Sequence, residues 1–189
     1  MRECAEALAR EELEHAELFK TERRRAYHAE RDAGKLRHGP DPDNIPNEAT
    51  LLALAIHMDR QLDRAVGGLA VDDPGLGDLA RETRQQIDEN ETSLAQVTAR
   101  GEQISEQAVA AACAQIESGE GPRHLPPANT KRELQRLGIY CDRCFVLYDA
   151  VVETTEVESM LHTAQRMAVS ALDRASLFKQ IAVVKSTGI

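Results

Sequence analysis

The sequence predicts an all-α protein, and three observations carry that prediction. Ala, Leu, Glu and Arg dominate the chain, aromatics make up only 3% and Trp is absent, a composition that favours helix almost throughout. Apolar residues recur at helical spacing along several long stretches, and no period-two stretch is long enough to predict a strand. Breaks containing Gly and Pro separate those stretches, so the chain reads as a series of helices rather than one rod.

Composition also bounds what the protein can do. A chain of 189 residues suffices for one good-sized domain or two small ones with a substantial core. Its net charge of −9 argues against a general nucleic-acid or anionic-membrane binder, whose affinity comes from basic charge. No apolar run approaches the length needed to cross a bilayer, and the charged N-terminus has no signal-peptide apolar core. Four cysteines without a framework of spacings suit a reducing compartment. The expectation is a soluble, cytoplasmic protein with no nucleic-acid or membrane partner.

The first helix is predicted from about Arg2 to Ala33, stopped by Gly34 with His38-Gly39-Pro40-Asp41-Pro42 beyond it. At about 100° per residue, Leu8, Glu12, His15, Phe19, Glu22 and Ala26 share one narrow stripe. An amphipathic helix should carry apolar groups there. A carboxylate and an imidazole three apart on a buried face are costly unless they are paired or hold a metal. Glu12 and His15 are therefore candidate metal ligands, with Glu22 a further ligand or a partner behind them. The competing reading is that Glu12 and His15 satisfy each other or a neighbouring helix. This helix has no sequential partner for its apolar stripe, which predicts a homo-oligomer that covers it.

Asn47 can cap a second helix, Glu48 to about Val66, ended by Gly67-Gly68. Its stripe is Leu52, Ala55, Ile56, Asp59, Leu62 and Val66, into which Asp59 and Asp63 intrude. They are either carboxylates approaching a metal or partners of an Arg across the interface. Asp72-Asp73-Pro74-Gly75 turns the chain into a third helix, about Leu76 to Arg100, with Leu76, Leu79, Ala80, Thr83, Ile87, Asn90, Leu94 and Val97 on one face. A short helix, roughly Glu102 to Ile116, precedes the strongest break, Gly119 to Pro127.

The next helix runs from near Thr130 to about Glu153 on a stripe of Leu134, Leu137, Cys141, Cys144, Phe145, Tyr148 and Val152. Cys141-Asp142-Arg143-Cys144 is a CxxC without a second Cys pair. A zinc or redox site would need Cys113 or His124 nearby, and the favoured reading is two small core residues. The last helix, about Glu156 to Val184, buries Met160, Leu161, Ala164, Ala168, Ala171, Ala175, Phe178 and Ala182. Arg23-Arg24-Arg25 is interleaved with acids and reads as a solvated, ion-paired surface.

Two stretches resemble each other. Leu13-Glu14-His15-Ala16-Glu17-Leu18-Phe19-Lys20 is similar to Leu172-Asp173-Arg174-Ala175-Ser176-Leu177-Phe178-Lys179, which suggests duplicated helices or a chance match of Ala/Leu-rich segments. In this register Glu12 and His15 become Ala171 and Arg174; an echo at Leu79-Ala80-Arg81-Glu82 makes them Thr83 and Gln86.

With these residues in view, the chain resembles the ferritin-like superfamily, nearest to its rubrerythrin type. Glu11-Glu12-Leu13-Glu14-His15-Ala16 resembles the helix in which Glu-x-x-His supplies two ligands. Ala55-Ile56-His57-Met58-Asp59 resembles the first helix of that hairpin, with Asp59 where a ligand glutamate is usual, and Asp73-Pro74-Gly75-Leu76 resembles the turn between helices. The resemblance implies a ferritin-like four-helix bundle over residues 46–186, as hairpin 47–100, crossover 101–130 and hairpin 131–186, with the helix of residues 1–34 added. It further implies an iron or manganese carboxylate site on Glu12, His15, Glu22 and Asp59, with oxidation or peroxide-reduction chemistry. A full site takes Glu-x-x-His from two helices, and this chain has it once. The site is at most partial, completed by another subunit if at all. The alternative is a metal-free helical interaction or scaffold protein that has lost the metal.

Overall fold

In the computed structural model the described residues are 44–70, 74–117 and 130–187, and they form five helices and no strand. All lie in the unit Gly39–Ile189. The expectations for the helix of residues 1–34, including Glu12, His15 and Glu22, and the oligomer contact assigned to it fall outside the described residues.

Asn47 starts the first helix as its stretch predicts. Its Oδ1 accepts the Thr50 backbone N–H at 2.9 Å and the Thr50 hydroxyl at 2.8 Å, filling a donor that a helix start leaves open. The helix, α1, is Glu48–Ala70. It therefore continues through Gly67-Gly68 instead of stopping there. Leu69 in the extra turn packs half-buried against the core, which offsets part of the roughly 1 kcal/mol that each helical glycine costs.

The second helix, α2, is Pro74–Ala99. It starts on a proline, whose missing N–H costs nothing in a first turn. Gly101 ends it at φ 99°, a left-handed geometry that favours glycine. Beyond it the Glu102 N–H returns to the Val97 carbonyl at 3.3 Å.

The short helix α3, Glu106–Glu117, starts four residues later than the predicted start near Glu102. Residues 102–105 are used to fasten the start of α1. Glu102 Oε2 accepts the Ala49 N–H at 3.0 Å, the Gln103 carbonyl accepts Asn47 Nδ2 at 2.9 Å, and the Ser105 N–H donates to Thr50 Oγ1 at 3.0 Å. Ser105 Oγ then caps α3 by accepting the Ala108 N–H at 3.3 Å. Helices α4, Thr130–Thr154, and α5, Glu158–Thr187, complete the order.

The extensive contacts are α1 with α2 and α4 with α5, and α1 also meets α3, α4 and α5. Each pair is an antiparallel hairpin with a short connection. The hairpins' relative direction follows from side-chain pairs. Glu48 meets Thr163 and Asp59 meets Arg174, so α1 and α5 advance together. Asn90 meets Arg166 while Gln86 meets Ser170, so α2 and α5 run in opposite directions. It follows that α2 and α4 are parallel, and the segment between them must travel the length of the hairpins.

The predicted stripes become the core. Leu52, Ala55, Leu62 and Val66 of α1 are buried with Leu76, Leu79, Ala80 and Val97 of α2. Leu134, Leu137, Phe145 and Tyr148 of α4 meet Met160, Ala164, Ala168, Ala171, Ala175 and Phe178 of α5. No helix among the described residues is long and apolar enough to cross a membrane.

Candidate functional site

Apolar stripes that are interrupted by polar groups bring those groups together, with Asp59, Asn90 and Arg174 buried and Gln86, Ser170 and Arg166 reaching outward to the surface. Asp59 projects from α1, Gln86 and Asn90 from α2, and Arg166, Ser170 and Arg174 from α5. Arg174 Nη1 donates to Asp59 Oδ1 at 2.5 Å, and both side chains are about 90% shielded from solvent (10% and 11% exposed). Arg174 Nη2 donates to Gln86 Oε1 at 2.5 Å, and the same oxygen accepts the Ser170 hydroxyl at 2.8 Å. On the other side Asn90 Nδ2 approaches Asp59 Oδ2 at 3.5 Å while its Oδ1 accepts Arg166 at 3.0 Å. A continuous polar chain thus crosses three helices and ties α2 to α5.

Burial pushes the Asp59 carboxyl above the usual carboxylate range, and the Arg174 charge and hydrogen bond pull it part of the way back. Arg174 accordingly balances a charge that would be costly alone. Asp63, the other acid on the α1 stripe, lies at the edge and pairs with Arg84 at 2.8 Å, a partly exposed contact worth little.

Of the predicted ligands, Asp59 is the one among the described residues, and its carboxylate faces a guanidinium. Among the described residues no group of three or more His, Cys, Asp and Glu side chains is placed to hold a metal ion. The residues that the internal repeat equates with His15 are Gln86 and Arg174; they bond each other, and Arg174 also bonds Asp59. Their convergence was not assigned to a site from the sequence. The available signal was a polar residue on each of three apolar stripes, at Asp59, Asn90 and Arg174.

Beside this network lies a small cavity of about 20 Å³, whose lining includes Asp59, Arg174, Met58, Cys141, Cys144 and Met167. That is room for about one water-sized occupant. Met58 Sδ accepts the Tyr148 hydroxyl at 3.3 Å and the Cys144 thiol at 3.5 Å, and the Tyr140 hydroxyl donates to the Met58 carbonyl at 3.4 Å. Both cysteines are free and buried, in keeping with their place on the apolar stripe. Burial pushes the Cys141 thiol up to about 12 and raises Cys144 well above its ordinary value, so both remain protonated thiols in an apolar wall.

The chain matches no protein-family model, no curated protein and no solved structure.

Proposed function

We propose that this chain is a helical interaction or scaffold protein of ferritin-like topology, in which an internal guanidinium stands where a rubrerythrin-type bundle would hold its metal. The single observation that carries the reading is Arg174, buried between Asp59 and Gln86 at 2.5 Å from each. A guanidinium has no lone pair to give and keeps its charge at any physiological pH. It satisfies the carboxylate and repels a divalent cation from it at once. The bundle thereby keeps a polar centre that sets helix register without iron or manganese chemistry. Two antiparallel hairpins whose inner helices, α2 and α4, run parallel support the ferritin-like topology.

A second reading rests on the Glu12 and His15 spacing, which suits an iron or manganese ligand pair completed by another subunit. Elemental analysis separates the two. Full-length protein from cells supplied with iron and manganese would be compared with His15→Ala and Asp59→Asn. The scaffold reading expects background iron and manganese in all three. Stoichiometric metal that disappears in His15→Ala supports the second reading, and loss in Asp59→Asn overturns the role given to Arg174.

A further inference from the structure

The cavity that borders the polar network is also lined by sulfur. The whole chain has four cysteines and four methionines, and two of each, Cys141, Cys144, Met58 and Met167, line this one space of about 20 Å³. They converge from three helices. Cys141 and Cys144 are three apart on α4 and so share a face, Met58 reaches in from α1 and Met167 from α5. The Cys144 and Met58 sulfurs are already 3.5 Å apart. All four side chains are buried.

We propose that the sulfur wall is a binding site for one soft monovalent cation, copper(I), held by Cys141 and Cys144 with the Met58 thioether completing the set. Thiolate and thioether donors select copper(I) over the hard cations that carboxylates prefer. The space accommodates one atom-sized occupant and not a cluster. Binding breaks two S–H bonds and forms three Cu–S bonds, two to thiolates and one to the Met58 thioether; it releases two protons to solvent and moves no electron between oxidation states. The bis-thiolate copper(I) unit carries one negative charge, and the mutually paired Asp59 and Arg174 line the same cavity beside it. Tyr148 donates to Met58 Sδ at 3.3 Å, which fixes that sulfur while leaving it a lone pair for the ion. The ion's route in is the seam at Gln86 and Ser170, which line the cavity and are only half-buried. This site is independent of the iron and manganese question, because it uses sulfur and not the Asp59 carboxylate.

The test is an anaerobic titration of reduced full-length protein with copper(I) buffered by a chromogenic bicinchoninate complex. Cys4→Ser and Cys113→Ser form the common background, so that only the cavity thiols can respond. The expected result is one copper(I) per chain, with thiolate-to-copper absorption in the ultraviolet. Cys141→Ala/Cys144→Ala should lose at least about 100-fold in affinity, and Met58→Leu about 10-fold. Met58→Leu conserves volume and should fold even if the double variant does not. The proposal is overturned if the background protein takes no copper from the chelator. It is equally overturned if the folded double variant, or failing that Met58→Leu, retains affinity within about twofold.

Discussion

Replacing Arg174 by Met removes the guanidinium and leaves most of the side-chain volume in place. Asp59 is then a carboxyl 8% exposed with Asn90 at 3.5 Å as its remaining neighbour in the network, and Gln86 loses its Arg174 donor. Removing one member of a buried ion pair costs about 3–5 kcal/mol. For a domain of this size about 1 kcal/mol moves Tm by roughly 2–4 °C, so Arg174→Met should melt about 6–20 °C below the parent.

The pH dependence has a definite sign. The folded-state value of Asp59 is already raised by burial and only partly restored by Arg174. Without Arg174 it rises further, so the folded variant binds a proton more tightly than the unfolded chain does. Stability of the variant relative to the parent therefore improves as pH falls towards the unfolded-state value of about 4 and worsens as pH rises through the folded one. Urea melts at about pH 7 and about pH 5 should show a smaller deficit at the lower pH. Asp59→Leu/Arg174→Met, which removes both charges, should recover most of the loss. An Arg174→Met variant as stable as the parent at neutral pH, or a double variant no better than the single, would refute the pairing argument.

Three further outcomes follow from the same structure. Asn47→Ala removes the α1 cap and the tie to Gln103, and urea unfolding should show a loss of about 1–2 kcal/mol. At Gly138 an added Cβ would meet Lys179 Cγ at 3.4 Å and the Ala175 carbonyl and Phe178 Cβ at 3.6 Å. Those are ordinary contacts, so Gly138→Ala should stabilise by about 0.5–1 kcal/mol through helix propensity, whereas Gly138→Val should destabilise by about 1–3 kcal/mol through overpacking. Cys141 and Cys144 should resist maleimide at about pH 8 in the native protein and react readily in urea, because burial keeps them as thiols; fast native labelling at either, read by peptide mass, would contradict the packing described for α4.

Helix identity was legible because it depends on local spacing. The α1 stripe from Leu52 to Val66 and the α4 stripe from Leu134 to Tyr148 are buried where their periodicity put them, and Asn47 marks a helix start by its own chemistry, whereas α2 starts at Pro74, two residues ahead of the predicted Leu76. The places where local rules misjudged a boundary are those settled by distant contacts. Gly67-Gly68 stayed helical, with Leu69 beyond them packed against the core. Residues 102–105 stayed out of α3 because they bond the start of α1, more than fifty residues earlier.

The sequence by itself determined that the chain is helical, which face of each of the four long described helices is apolar, and that Asp59 is a polar intruder in need of a partner. Periodicity carries that information because a helix turns through a constant angle per residue. Only the tertiary structure decided that the partner is Arg174, 115 residues away, and that the two thiols and two thioethers surround one cavity. Spacing within a helix says which residues share a face but nothing of which helix that face will meet. That choice depends on the direction and register in which the two hairpins pack, a property of no single segment.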